Sequence, residues 1–90
     1  IDAERNTAMP AAFLMHQLEW REALDEAGDL AALDALEREV QGERRKTEAT
    51  LHWLLDEKGD YAAAAQQVRA LMFIARFADE LDTRAEALGR

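Results

Sequence analysis

The sequence predicts an all-α protein, an antiparallel three-helix bundle with one short and two long helices. Nearly half of the 90 residues are hydrophobic, with alanine and leucine dominating, and there is a single proline. Apolar residues recur at steps of three and four, as on one face of a helix. Two Gly-Asp pairs divide the chain into helix-length segments. A chain of this length is expected to form one domain.

The two Gly-Asp pairs predict where the helices end. Gly28-Asp29 and Gly59-Asp60 each offer a glycine that ends one helix in a left-handed conformation and an aspartate that caps the next. Pro10 is tolerated only in a first turn, so the first helix begins near it. The predicted bounds are about 10–27, 29–58 and 60–88. Short loops make neighbouring helices antiparallel.

The first helix carries more large apolar residues than one buried face accommodates. At about 100° per residue, one set lies within roughly 60° and forms a stripe facing the core: Phe13, Trp20, Leu24 and Ala27. A second set falls roughly 100–200° away: Leu14, Met15 and Leu18. A small bundle has no second core for this set, so we expect an exposed patch bordered by carboxylates: Glu19, Glu22 and Glu26. Such a patch is typical of a partner-binding surface.

Each long helix has one apolar stripe. In the second helix the stripe contains Leu33, Leu36, Val40, Thr47, Leu51 and Leu54. In the third helix it contains Val68, Leu71, Ile74, Ala78, Leu81, Ala85 and Leu88. Phe73 falls roughly 160–200° from Leu71, outside the stripe. At 1.5 Å per residue, Phe73 lies about 25 Å from the first joint and Leu14 about 21 Å. We therefore expect Phe73 to join the patch on the first helix.

Composition excludes several kinds of site. The net charge of −8 leaves no basic face for nucleic-acid phosphates. The lack of cysteine excludes a disulfide, a thiolate nucleophile and a cysteine-bound metal. The sequence contains no apolar run of about 18 residues that would span a membrane, and no signal peptide is visible. The chain opens on Ile1 rather than Met, which indicates a processed product or a piece of a longer protein.

No metal or cofactor is expected. His16 and Glu19 lie one turn apart, but in the reverse order of the Glu-x-x-His motif that di-iron bundles place on inward faces. His52 beside Trp53 is expected to be a packed or half-exposed histidine rather than a ligand.

Two segments together resemble one known family. The first helix reads Ala12-Phe13-Leu14-Met15, then Gln17-Leu18-Glu19, Arg21-Glu22 and Leu24-Asp25-Glu26. The third reads Asp60-Tyr61-Ala62-Ala63-Ala64, then Val68-Arg69, Leu71 and Phe73. These residues resemble the C-terminal domain of the HscB co-chaperones. The similarity extends over nearly the whole chain, although the second helix matches only in pattern.

The resemblance implies a cytoplasmic co-chaperone of iron–sulfur cluster assembly. In that family an N-terminal J-domain stimulates the ATPase of HscA, and the C-terminal domain binds the scaffold protein IscU. The His-Pro-Asp tripeptide of a J-domain is absent from this chain. An interaction with HscA is therefore expected only indirectly, through a J-domain that is not part of this chain. The resemblance assigns scaffold binding to Leu14, Met15, Leu18, Glu19, Glu22, Glu26 and Phe73. His16, Ala23 and Met72 stand where charged residues are expected in the family.

Three alternatives remain open. Leu14 and Leu18 would widen the core if the first helix lay between the other two. The same patch also suits a homo-oligomer interface. The least favoured alternative is a small all-helical mutase that acts on a dicarboxylate, which requires basic residues converging on a cavity. Only Arg44 lies near a stripe, whereas Arg69 and Arg76 project away from the core, so we expect no catalytic residue and no enzyme.

Overall fold

Three helices follow one another in residues 10–89, the part of the chain that this computed structural model describes, without the side chain of Ala12. Helix α1 spans Ala11–Glu26, α2 spans Leu30–Trp53 and α3 spans Tyr61–Ala87. No strand occurs within that part of the chain. The predicted fold class is confirmed. Pro10 sits directly before α1, and its carbonyl accepts the N–H of Phe13 at 2.9 Å.

The connection between α2 and α3 differs from the predicted one. Leu54–Lys58 form a π-helical turn directly after α2, where the sequence predicts continued α-helix. Gly59 ends this turn in the left-handed conformation, with φ 61° and ψ 25°. Asp60 then caps α3, because its Oδ1 accepts the N–H of Ala63 at 3.1 Å. Both predictions for this joint, the left-handed glycine and the capping aspartate, are confirmed.

The joint at Gly28-Asp29 is built differently. Asp29 caps α2 as predicted, since its Oδ1 accepts the N–H of Ala32 at 2.8 Å. The predicted left-handed cap at Gly28 is wrong: within residues 10–89, only Gly59 and Gly89 have a positive φ. The reason lies in Ala27, whose φ of −66° and ψ of 116° are extended. An extended residue turns the chain out of a helix without a left-handed glycine.

The buried stripes of α1 and α2 agree with the sequence pattern. In α1 the buried residues are Phe13, Trp20 and Leu24, with Ala27 directly after the helix. In α2 and its π-turn they are Leu33, Leu36, Val40, Thr47 and Leu54, with Leu51 half-buried. The Thr47 hydroxyl donates to the carbonyl oxygen of Glu43 at 2.8 Å, so this polar side chain is satisfied in the stripe.

The buried stripe of α3 is rotated by about 30° from the prediction, toward Phe77, and Leu71 is half-buried in it. It contains Ala64, Ala70, Ile74, Phe77, Leu81 and Ala85. Val68 and Leu88 are 43% and 38% exposed, so their predicted burial is wrong, and Ala78 is only half-buried. The ring of Phe77 gains more from burial than the methyl group of Ala78 does, and the helix turns toward the larger side chain.

Contacts between the helices establish an up-down-up bundle. Phe13 packs on Phe73 and Trp20 on Phe77, so α1 and α3 run in the same direction. Trp20 also bonds to Glu39 of α2, and α2 runs antiparallel to both neighbours through its short connections. No helix in the described range is both long and apolar enough to cross a lipid bilayer.

Candidate partner-binding surface

Helix α1 has an exposed apolar side. Leu14, Met15 and Leu18 are 50%, 60% and 69% exposed, and we call these three residues the apolar patch. The prediction that they lie outside the core is confirmed, and the alternative in which Leu14 and Leu18 widen the core is wrong. Leu14 and Leu18 are four residues apart and adjoin one another on the helix surface, and contiguous exposed apolar side chains are common at binding surfaces.

The opposite side of α1 is held by an aromatic cluster, which consists of Phe13, Trp20, Phe73 and Phe77. Trp20 stacks on Phe77 and Phe73, with ring centroids 5.6 and 6.2 Å apart. Phe13 meets Trp20 and Phe73 edge to face, each at 5.7 Å. The indole Nε1 of Trp20 donates to Oε2 of Glu39 at 2.9 Å, which satisfies its one polar atom. Helix α1 is thereby fixed to both long helices.

Phe73 belongs to the aromatic cluster rather than to the exposed patch. It is half-buried and packs against the core, so the prediction that it points away from the core is wrong. The cause is the rotation of the α3 stripe, which brings Phe73 to the edge of the buried face. Its height along the bundle agrees with the prediction, because its ring contacts Phe13 and Trp20, which bracket Leu14 and Leu18 in sequence. Phe73 therefore lies at the same height along the bundle as the apolar patch, and its ring contacts Phe13 and Trp20 of the same helix.

An ion pair marks the border between α1 and α3. Nη1 and Nη2 of Arg21 donate to Oε1 and Oε2 of Glu80 at 2.7 and 2.9 Å. These hydrogen bonds and the attraction between the charges raise the pKa of Arg21 and lower the pKa of Glu80. Leu18 and Leu14 precede Arg21 by three and seven residues. They therefore share the side of α1 that faces α3.

The other border of α1 faces α2. The His16 ring stacks on Trp20 with centroids 5.2 Å apart. Its Nε2 lies 3.5 Å from Oε1 of Glu43, and its Nδ1 lies 3.7 Å from Oε1 of Glu19. Within the described residues, no group of three histidines or carboxylates is arranged to hold a metal ion.

The carboxylates form an acidic border on the side of the patch away from α3. Glu19, Glu22 and Glu26 are all exposed. Glu19 approaches His16, which faces α2, and the other two follow it at helical spacing. Across the surface, the order is therefore α3, then Leu14 and Leu18, then the carboxylates.

Two of the hollows between described residues are each lined by a pair of arginines, and both hollows are open to solvent. Arg38 and Arg45 line an open hollow along α2 together with Asp34 and Glu37. Both arginines are exposed. Arg44, the one basic residue predicted near a stripe, is also exposed and pairs with Glu48 at 3.5 Å. The second hollow lies between α1 and α3 and is lined by Arg21 and Arg84, and Arg21 is held there by Glu80.

Comparison with known proteins identifies the family. The model of the HSCB C-terminal oligomerisation domain matches residues 9–82. This chain belongs to that family. A co-chaperone protein HscB homolog of Bordetella petrii is 54% identical over 90% of the chain, and one of Ralstonia nicotianae is 55% identical over 100% of it. A third, from an Azoarcus strain, is 46% identical over 94% of the chain.

The relatives are co-chaperones, which is not a catalytic role, and the resemblance stated from the residues is confirmed. The matches cover 48% of the Bordetella petrii protein and 51% of the Ralstonia protein. The chain thus spans about half the length of the curated relatives it matches. No solved structure matches it significantly.

Two features that position the surface are not predicted by the sequence. The first is Phe77, which is 0% exposed and lies outside the predicted stripe. The pair of Arg21 and Glu80 joins residues 59 positions apart, which no local pattern reveals. The one sign in the sequence was that Phe73, Phe77 and Glu80 follow one another at steps of four and three on α3.

Proposed function

We propose that this chain binds the iron–sulfur scaffold protein IscU through the apolar patch and the acidic border. The observation that carries the proposal is the exposure of Leu14, Met15 and Leu18, between 50% and 69%, on a helix whose other side is fully used in the bundle. Apolar area that a partner removes from water contributes roughly 25 cal/mol per Å², so these three side chains are suited to be the anchor.

The patch is also organised before a partner arrives. The aromatic cluster and the bond from Trp20 to Glu39 hold α1 on the two long helices. A surface that needs no reordering loses less conformational entropy on association, and more of its contact energy appears as affinity. Phe73 contributes by packing against Phe13, the residue before Leu14 on α1.

The acidic border supports orientation and encounter. Glu19, Glu22 and Glu26 are exposed beside the patch, and the whole chain carries a net charge of −8. Charges at the edge of an interface act mainly on the association rate and on its salt dependence. A basic region on the scaffold would therefore approach this side of α1 fastest at low salt.

The larger role needs a second domain. We propose that a J-domain, contributed by the part of the protein outside this chain, brings the bound scaffold to the chaperone HscA in the cytoplasm. The relatives are about twice as long as the matched region, which leaves room for such a domain. Tethering the two modules would raise the effective concentration of the scaffold near the chaperone.

Calorimetric titration of this chain with purified IscU tests the proposal. Leu18→Ala should weaken binding by on the order of 1–3 kcal/mol, because truncation removes an anchor. Leu55→Ala is the matched control, since Leu55 is also exposed, at 40%, but lies in the π-turn. It should bind like the unaltered chain. Failure of the unaltered chain to bind IscU, or equal losses in the two variants, would refute the proposed surface.

Self-association is the second candidate function. The matched family model describes an oligomerisation domain, and Leu14 and Leu18 are exposed enough to meet a second copy. Light scattering at micromolar concentration separates the two candidates. A stable dimer that Leu18→Ala dissociates would favour self-association, whereas a monomer that binds IscU would favour the scaffold.

A further inference from the structure

An exposed basic residue, Arg76, lies at the border between α1 and α3, next to the proposed binding surface. Arg76 is exposed on α3, four residues before Glu80 and three after Phe73. Glu80 faces α1, because it bonds to Arg21. Side chains four residues apart on a helix are neighbours, so Arg76 lies on the same side of α3.

The parallel course of α1 and α3 places Arg76 next to the apolar patch. Arg21 is opposite Glu80. About one turn earlier on each helix, Leu18 and Arg76 face the same groove. About one further turn earlier lie Leu14 and Phe73, and the contact of Phe73 with Phe13 agrees with this register.

Two carboxylates of α3 lie within one turn of Arg76, at Asp79 and Glu80, and the second of them is already occupied. Glu80 holds Arg21 with two hydrogen bonds of 2.7 and 2.9 Å. Arg76 takes part in none of the ion pairs found between residues 10 and 89. The chain has 19 acidic and 11 basic side chains. The exposed Arg76 therefore places a positive charge beside the apolar patch of a predominantly negative protein.

We propose that Arg76 is the basic edge of the scaffold-binding surface and pairs with an acidic group of the partner. The inference rests on the proposed function and deepens it. Three kinds of side chain then follow one another across the surface: the positive charge of Arg76 on α3, the apolar side chains of Leu14 and Leu18, and the carboxylates on the far side of α1. The partner has the complementary order, with an acidic group, an apolar centre and basic groups.

This order gives the complex one orientation. A partner turned by half a rotation would place its basic groups on Arg76 and its acidic group on Glu19 and Glu22. Contacts between like charges disfavour that arrangement, and such repulsion is an effective source of specificity. The apolar patch alone lacks this direction, because burial of apolar area is not directional.

Charge reversal at two matched arginines tests the proposal. Arg76→Glu and Arg45→Glu each replace one positive charge by one negative charge, so each lowers the net charge by two from −8. Both arginines are exposed, and Arg45 lies on α2 in the hollow with Asp34 and Glu37. The two variants therefore differ in the position of the charge and not in its amount.

The affinity of each variant for purified IscU is measured at low and at high salt. Arg76→Glu should weaken binding about 10-fold at low salt and Arg76→Gln about 3-fold, with both losses shrinking at high salt as the charges are screened. Arg45→Glu should stay within about 2-fold of the unaltered chain. The salt dependence separates a charge contact from a structural effect, and thermal unfolding of Arg76→Gln checks that the helix is intact.

The outcomes of the two tests are distinct. If Arg76→Glu and Arg45→Glu bind equally while Leu18→Ala is weakened, the role of Arg76 is refuted and the scaffold-binding surface stands. A loss at Arg76 that persists unchanged at high salt also refutes the ionic contact. If the unaltered chain does not bind IscU, the proposed function itself fails.

Discussion

The two sides of α1 carry side chains of similar size in opposite environments. Leu24 is 4% exposed and Leu18 is 69% exposed, although they lie six residues apart on the same helix. Leu24 belongs to the hydrophobic core with Trp20 and Phe13. Leu18 adjoins Glu19 and Glu22 on the solvent side. The same residue type therefore holds the bundle at one position and is exposed to solvent at the other, where we propose that it meets a partner.

If the proposed surface is correct, stability and partner binding are largely separable within one helix. The buried side is connected to both long helices through Trp20, which stacks on Phe77 and bonds to Glu39. The exposed side can be changed without opening the core, since its side chains have little packing to lose. Substitutions on each side should separate the two properties.

The largest effect is expected from the leucine pair. Leu24→Ala should lower the free energy of unfolding by about 2–5 kcal/mol, because it removes buried methyl groups and leaves a cavity. Leu18→Ala makes the same chemical change and should stay within about 0.5 kcal/mol of the unaltered chain. Urea unfolding followed by circular dichroism at 222 nm measures both. Equal destabilisation by the two variants would mean that the assignment of the two sides is wrong.

A second, smaller effect is expected where the two sides meet. Phe73 is half-buried, and Phe73→Ala should destabilise the fold by about 1.5–2.5 kcal/mol, roughly half of the loss for a fully buried ring. The same variant should also weaken scaffold binding, because it removes the ring that packs against Phe13, the residue before Leu14. Calorimetric titration with IscU and urea unfolding measure the two effects.

The neighbouring residue is the control for Phe73. Met72 precedes it on α3 and is 52% exposed, so Met72→Ala should change the stability by less than about 0.5 kcal/mol. If Phe73→Ala alters binding and leaves stability untouched, Phe73 is an exposed anchor rather than a supporting ring.

Much of the fold was predictable because it depends on local chemistry. Asp29 and Asp60 cap their helices through hydrogen bonds to residues three positions ahead, and such contacts are visible in a short stretch of sequence. The left-handed Gly59 belongs to the same class. Gly28 was mistaken for its equivalent, because the sequence does not reveal that Ala27 becomes extended.

The candidate surface was predictable only on α1. The exposed positions of Leu14, Met15 and Leu18 follow from helical periodicity, since α1 has two apolar sides and one core. On α3 the periodicity predicts a stripe that omits Phe77 and is rotated by about 30° from the observed one. The observed position depends on the packing of Phe77 against Trp20, a contact between distant residues that no local pattern reveals. This packing also brings Phe73 to the edge of the core.

The smallest effect is expected at the ion pair on the border. Arg21 and Glu80 are 45% and 48% exposed, so solvent screens the pair, and Glu80→Gln should cost less than about 1 kcal/mol at neutral pH and low salt. Glu57→Gln, which changes an exposed glutamate in the π-turn, is the control and should have no effect. Urea unfolding of both variants, in low and high salt, measures the difference.

The pH dependence of this difference identifies its ionic origin. Hydrogen bonds from Arg21 lower the pKa of Glu80 below its ordinary value of 4.5 in the folded chain. The pair therefore contributes fully above that ordinary value, and its contribution is lost as the pH falls through the lowered pKa of the folded state. Stability of the unaltered chain minus that of Glu80→Gln should stay constant from neutral pH down to about 5 and shrink below it. A difference that is unchanged at about pH 3 would show that Glu80 acts through packing on the α1 border rather than through its charge.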